Sequence, residues 1–447
     1  MMRMRPSRFF VLCVTVCAVL LGTFASPQAR GEDSVYVTDM KFALEELQKQ
    51  CGHFFQLKDI DWKKVAREFQ KEAGRVKNDG EHLKLLTRLL ARVRDGHAYV
   101  KRLEKGKNVE WPDPVGERVG PGLAFCKIGK RIHVKHVWST AESAGVQPGS
   151  QVLAIDGVPA AKWLDAKIAE LSDLISYSTD HHAFFHACHA GLADKPGTRL
   201  KLDVKEPGGK RNKRTISYGR ASARAQGAAF LWEGLQHQGD LSYGKTKRGN
   251  GYILIRRCKS TLPSQIDGAL AAIGNVPGMI LDFRSNTGGA FDHDALMGRF
   301  IPKGKEISFA KRYASAGATP YGGPVVVIVD GTVVSAGETA SGIFKEDGRG
   351  YMIGESPTAG MSSSKTTIEL PSGLFGLYVS IRSNKSRFNE GAGIEGIGVP
   401  PHEVVSYDAR DLGKGIDTLI ETAEARLAKP PRNAVPYNPS QFGWKKP

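Results

Sequence analysis

The order of apolar and polar positions divides the chain into stretches with different periods. From Thr38 to about Arg94, apolar residues recur at spacings of three and four in Met40 to Leu47, Trp62 to Phe69 and Leu83 to Val93, the repeat of amphipathic helices. Asn78-Asp79-Gly80 predicts a break before the last of them. Between Val115 and about Val204 the pattern shortens to strand-like runs, Leu123 to Ile128, Ile132 to Val137 and Gln151 to Ile155, separated by Gly, Pro and charged residues. A helix is predicted to follow from about Ala161 to Leu174. From Gly251 to Ala425, strand patterns at Tyr252 to Arg256, Met279 to Phe283 and Val325 to Val329 alternate with helical patterns at Pro263 to Ile273, Asp294 to Phe300 and Ala336 to Phe344. Such alternation predicts an α/β layered domain. The expected fold class is therefore multidomain α/β: an N-terminal helical domain at 35–110, a β-rich domain at 115–210, an α/β layered core at 215–425 and a surface extension at 426–447.

The first residues stand apart. Arg3, Arg5 and Arg8 precede an apolar run from Phe9 to Ala25, and small and polar residues follow from Ser26 to Gly31. This is the order of a secretory signal peptide, expected at 1–31. No other segment approaches spanning length. The expectation is an exported protein, periplasmic or extracellular, with no integral membrane span after signal cleavage. Cys51, Cys126, Cys188 and Cys258 would remain in the mature chain. Their even number allows two disulfides in three pairings, and their wide spacing suits four buried thiols equally.

Composition changes this picture little. With 41% hydrophobic and 24% charged residues, the chain is globular rather than disordered. The formal charge of +17 is spread along the sequence, and short clusters such as Lys210 to Arg214 sit in a predicted strand-connecting loop. A solvated basic surface is expected, with no nucleic acid as partner.

Candidate chemistry concentrates in the last domain. Ser335 falls just after a buried strand and a short turn, at the start of a predicted helix. There the free N–H groups and partial positive charge of a helix N-terminus favour an alkoxide or oxyanion. Gly288 and Gly289 follow another buried strand, where the lack of side chains lets backbone donors approach developing charge. His97 closes the helical region and has an ordinary pKa suited to general-base work near neutral pH. His181, His182, His186 and His189 cluster with Cys188. No carboxylate closes a ligand shell around them, so they are read as structural, and neither metal nor cofactor is expected.

Two resemblances are carried by these residues. Pro121-Gly122-Leu123-Ala124-Phe125 resembles the carboxylate-binding loop of PDZ domains, and Ala144 to Ser150 with Val152 to Gly157 resembles their second signature. Ile280 to Gly289, Val325 to Asp330, Ser335-Ala336-Gly337-Glu338 and Gly354-Glu355 together resemble the S41 family of tail-specific and C-terminal-processing serine proteases. This resemblance implies a crotonase/ClpP-like core, a nucleophilic Ser335, and an oxyanion hole from the N–H of Ala336 and one of Gly288 or Gly289. It also implies peptide binding at Gly122, Leu123, Ala124 and Phe125. Asp282 and Arg284 are read as structural loop anchors.

The base departs from the family's Ser–Lys members, whose lysine position is held here by Met361; Lys365 lies nearby with the same strand parity. Arg94 to Val100 instead resembles the histidine motif of the tricorn-like branch, and Ile394 to Pro401 its glutamate motif. The implied set is Ser335, His97 and Glu395, although the serine which that branch places before its histidine is Gly96. The expected function is an exported serine endopeptidase acting on proteins or peptides with exposed C-terminal tails. The alternative is a catalytically inactive S41-like scaffold or ligand-binding protein.

Overall fold

The computed structural model describes residues 33–113, 116–219, 221, 227–308, 312–384 and 387–429. The expected signal peptide and residues 430–447 of the extension lie outside them. Helices α1 (Val35–Leu57), α2 (Trp62–Ala73) and α3 (Asp79–Val93) start on Ser34, Asp61 and Asn78, whose side chains each accept a first-turn N–H. Asn78-Asp79-Gly80 is therefore a helix start rather than a break: Asn78 Oδ1 takes the Glu81 N–H and Asp79-Gly80 form the first turn. The helices bury Met40, Leu47, Phe69, Leu86 and Leu89 in a core that continues into Ile368, Phe375, Leu377 and Val379 from the far end of the chain. Arg94 ends α3 in the left-handed region, at φ 55°. It turns the backbone into β1 (Tyr99–Arg102).

The β-rich part contains β2 (Leu123–Ile128), β3 (Arg131–Val137), α4 (Ser139–Ser143), β4 (Gln151–Ile155), β5 (Val158–Pro159), α5 (Ala160–Leu171), α6 (Asp180–Cys188), β6 (Arg199–Lys205) and β7 (Arg211–Ser217). The strands run antiparallel in the order β2-β3-β4-β6-β7, with β5 beside β4. Strand β2 thus lies at an edge. Its Leu123 and Phe125 share a core with Ala187 and Cys188 of α6, and with Leu192 just after it.

The remainder comprises β8 (Gln236–Gln238), β9 (Leu241–Lys245), β10 (Gly251–Ile255), α7 (Leu262–Ile273), β11 (Met279–Asp282), α8 (His293–Gly298), β12 (Glu306–Ser308), β13 (Arg312–Ala314), β14 (Val325–Val329), α9 (Ala336–Glu346), β15 (Tyr351–Gly354), β16 (Ser363–Glu369), β17 (Phe375–Ser383), β18 (Glu403–Val404), α10 (Ala409–Gly413) and α11 (Thr418–Ala428). Its main sheet has the order β18-β15-β14-β11-β10-β9-β8, parallel from β18 to β10. Alternate residues serve opposite faces. Ile253, Leu281 and Val327 pack with α7 and α9, whereas Leu254, Ile280 and Val326 pack with α11. Burial on both faces explains the nearly unbroken apolar runs read in the sequence. A separate sheet of order β1-β17-β16 fastens the helical region to this core and carries the segment after α3 toward α9.

Candidate active site

The nucleophile side is built at the ends of β11 and β14. Thr332 accepts the Ser285 N–H at 2.7 Å, and Val334 donates its N–H to the Asn286 carbonyl at 3.1 Å, tying the two strand-end loops together. Ser335 then takes φ 55° before α9 begins. A non-glycine residue there carries about 1–3 kcal/mol of local strain and needs bracing. Glu338 supplies it, accepting N–H bonds from Ser335 at 3.0 Å, Gly360 at 2.7 Å and Met361 at 2.9 Å, and the Thr358 hydroxyl at 2.6 Å. Burial pushes its pKa up to about 8, while Thr358, Gly360 and Met361 work in the opposite direction.

Gly288 lies against this turn. A Cβ at that position would fall 2.7 Å from Ser335 Cβ, and φ is +75°; only glycine fits. Its N–H, however, is donated to Asn286 Oδ1 at 2.8 Å. Of the two glycines, Gly289 is the one whose N–H is not spent in this way. Ala336 is the first residue of α9, where helix geometry provides no internal acceptor for its N–H.

The base side comes from the turn after α3. His97 Nε2 lies 3.0 Å from Ser335 Oγ, across 238 residues of sequence. Its backbone N–H bonds Asp95 Oδ1 at 2.9 Å, and Asp95 in turn accepts the N–H and hydroxyl of Ser380 at 2.6 and 3.0 Å. Burial lowers the His97 pKa to about 4, with Lys365 and Lys58 adding to the shift and Asp95 opposing it. The ring is therefore neutral at pH 7 and able to accept a proton. A Cβ on Gly96 would lie 2.6 Å from Met361 Sδ and 3.2 Å from His182 Cε1. A serine before His97 would require the Met361 side chain to move.

Glu395 does not bond His97. Its Oε1 accepts Lys58 Nζ at 2.8 Å and Ser178 Oγ at 3.1 Å. Burial pushes Glu395 up to about 7, against Lys58 and Ser178. Glu395 Oε2 and His97 Nδ1 have no hydrogen-bond partner among the described residues, and Asp95 Oδ1 lies 4.0 Å from His97 Nδ1. One donor atom each from Asp95, His97 and Glu395 lies within 4.8 Å of the others, but the Lys58 ammonium bonded to Glu395 and the bonds already held by Asp95 favour a proton-handling group over a cation site.

The other expected residues separate clearly. Lys365, half-buried on β16, acts on the His97 ring through its charge and has no bond to Ser335 among the described contacts. Glu355 pairs with Lys135 of β3 at 3.3 Å, which also approaches Asp330 at 3.8 Å. Arg284 is fully buried between Asp282 and Asp417 and bonds Tyr407, an anchor as expected. In the expected peptide loop, Leu123, Ala124 and Phe125 are 1–3% exposed, Gly122 packs against the Trp138 carbonyl, and β2 is an edge strand of its sheet. The histidines of α6 are structural: His181 bonds the Thr358 carbonyl and His186 the Tyr177 hydroxyl. Cys51, Cys126, Cys188 and Cys258 are buried free thiols.

Sequence reasoning missed Asp95, Glu338, Asn286, Ser380, Lys58 and Ser178. For Glu338 a signal existed, since Ser335-x-x-Glu338 is a capping-box spacing. For Lys58 and Ser178 none did; their roles arise only from contacts across distant parts of the chain.

No helix among the described residues is long and apolar enough to cross a membrane. The chain is 23% identical over 362 residues to the carboxyl-terminal-processing protease of Picosynechococcus sp., covering 78% of each chain. It is 26% identical over 273 residues to the chloroplastic C-terminal processing peptidase of Tetradesmus obliquus, covering 58% of this chain and about half, 53%, of that relative. Its fold is similar to the crystal structure of mature CPAF, with a TM-score of 0.64 over 90% of this chain and 98% of the other at 13% identity. Residues 249–405, which hold both strand-end loops and Ser335, match the model of peptidase family S41, and with these likenesses they set the chain beside the S41 peptidases.

Proposed function

We propose that this chain is a serine endopeptidase in which Ser335 attacks a peptide carbonyl and His97 takes its proton. The observation that carries the reading is the 3.0 Å contact between His97 Nε2 and Ser335 Oγ at the start of α9. In the first step the Ser335 oxygen bonds the carbonyl carbon as its proton passes to His97 Nε2. His97 then protonates the leaving amine, and water, deprotonated by the same nitrogen, releases the acyl group. The N–H groups of Ala336 and Gly289 receive the oxyanion, the choice of Gly289 resting on the bond that occupies Gly288. Loss of one such donor costs about two to three orders of magnitude in rate. Asp95 and Glu395 stabilise the imidazolium from the Nδ1 side, through space or through a bridging water, since neither bonds the ring directly.

Curated relatives that process C-termini favour protein substrates. The basic and apolar N-terminal stretch supports action outside the cytoplasm, in a periplasm or the extracellular space. Strand β2 lies at a sheet edge just after Gly122, and recognition of a C-terminal tail at Gly122 to Phe125 is part of the same reading.

The test is labelling of Ser335 by a fluorophosphonate, together with cleavage of an unfolded protein, in wild type, Ser335→Ala and His97→Ala. Labelled and active wild type with activity lower by about three orders of magnitude or more in both variants is the expected result. An unlabelled wild type that still binds peptides would replace it with the inactive-scaffold reading.

A further inference from the structure

The loop that carries His97 has no regular structure of its own, yet it must hold the ring to within a fraction of an ångström. Two side chains from outside both the loop and the S41-matching segment meet beneath it. Ser178, in the lead to α6, accepts the Gly96 N–H at 2.8 Å and donates to Glu395 Oε1 at 3.1 Å. Lys58, at the end of α1, donates to the Arg94 carbonyl at 2.6 Å and to the same Glu395 oxygen at 2.8 Å. The side chains of Lys58 and Glu395 are 2% and 0% exposed. The His97 loop is thus gripped on either side of Asp95, at the carbonyl of residue 94 and the amide of residue 96, by two groups converging on one carboxylate oxygen. Neither the other oxygen of that carboxylate nor His97 Nδ1 has a hydrogen-bond partner among the described residues.

We propose that Lys58 and Ser178 are positioning residues for the general base: together they fix Glu395 and the backbone around His97, so that the free Glu395 oxygen serves the His97 Nδ1 side. This inference rests on the serine-peptidase reading above. A buried carboxylate without its cation becomes protonated and ceases to stabilise an imidazolium. Lys58 therefore keeps Glu395 anionic while the Ser178 hydroxyl fixes its direction. Other charged or titratable groups face the same space. Asp95, Lys365 and His182 surround His97, and Asp95, Glu338 and Cys51 lie near Glu395. None of these grips both the loop and Glu395.

The experiment measures kcat, KM and the pH dependence of Ser335 labelling in wild type, Lys58→Met, Lys58→Arg, Ser178→Ala and Ser178→Thr, each checked for folding by circular dichroism. Lys58→Met is expected to lower kcat about 10–100-fold with little change in KM, and to move the acid limb of labelling to higher pH. Glu395 titrates higher once that cation is gone, so the pH at which it ionises, and the limb with it, moves upward. Ser178→Ala is expected to lower kcat about tenfold, with recovery in Ser178→Thr; it leaves no buried charge unpaired and decides the matter if Lys58→Met does not fold. A residue that merely supports the fold lowers the folded fraction without moving the limb. Labelled wild type with kcat within twofold in Ser178→Ala, and an unmoved limb in any folded Lys58→Met, overturns the positioning role while leaving the peptidase reading intact. Wild type that is not labelled at all overturns both.

Discussion

The two halves of the candidate site are held by different kinds of contact. On the nucleophile side the bracing is shorter in sequence and stays within the layered core: Glu338 reaches Ser335 over three residues and Gly360 and Met361 over 22 and 23, and Thr332 reaches Ser285 over 47. On the base side it is long. Asp95 to Ser380 spans 285 residues, Ser178 to Glu395 217 and Lys58 to Glu395 337. A locally braced turn forms wherever its own strand and helix form. The base exists only when the helical region, the β-rich region and the core have all docked, so its geometry reports the assembly of the whole molecule.

This contrast is broken most strongly by Glu338→Ala. Three N–H groups and one hydroxyl would lose their acceptor inside the protein, at a cost of about 3 kcal/mol or more. A large fall in the urea midpoint and loss of Ser335 labelling are expected; a normal midpoint would show that the elbow is braced elsewhere. Asp95→Asn strikes the base side instead. It keeps the shape but turns a two-oxygen acceptor into a half-donor facing Ser380, and misplacement of the His97 backbone should lower kcat about 100-fold with a smaller fall in the urea midpoint than Glu338→Ala. Equal falls in midpoint would erase the distinction between the sides. The smallest effect is expected for Lys365→Met. The cation on β16 helps hold the His97 pKa down, so its removal should raise that pKa and move the acid limb of kcat/KM to higher pH while activity at pH 7–8 persists. Total loss of activity would make Lys365 the base and displace His97.

The same division decides what was readable from the sequence. Strands with continuous apolar runs, such as Val325–Val329, and the helix start after Ser335 follow from local periodicity and capping, and they were legible. So was the pairing of His97 with Ser335, through motif resemblance. The motif alone leaves open whether Glu395, water or a backbone group orients His97, and no periodicity announces that a lysine 337 residues earlier bonds Glu395. Domain boundaries drawn from period changes also hid the shared core of α1, α3 and β17, because an amphipathic face announces that it needs a partner and not which one.

The span from Lys58 to Glu395 also sets an order on biosynthesis. A ribosome making this chain from its N-terminus finishes the His97 loop early and Ser335 much later, and the carboxylate that completes the base side emerges later still. A nascent chain stopped between residues 335 and 395 would carry the proposed nucleophile beside an unfastened base, so the proposed chemistry would wait for Glu395.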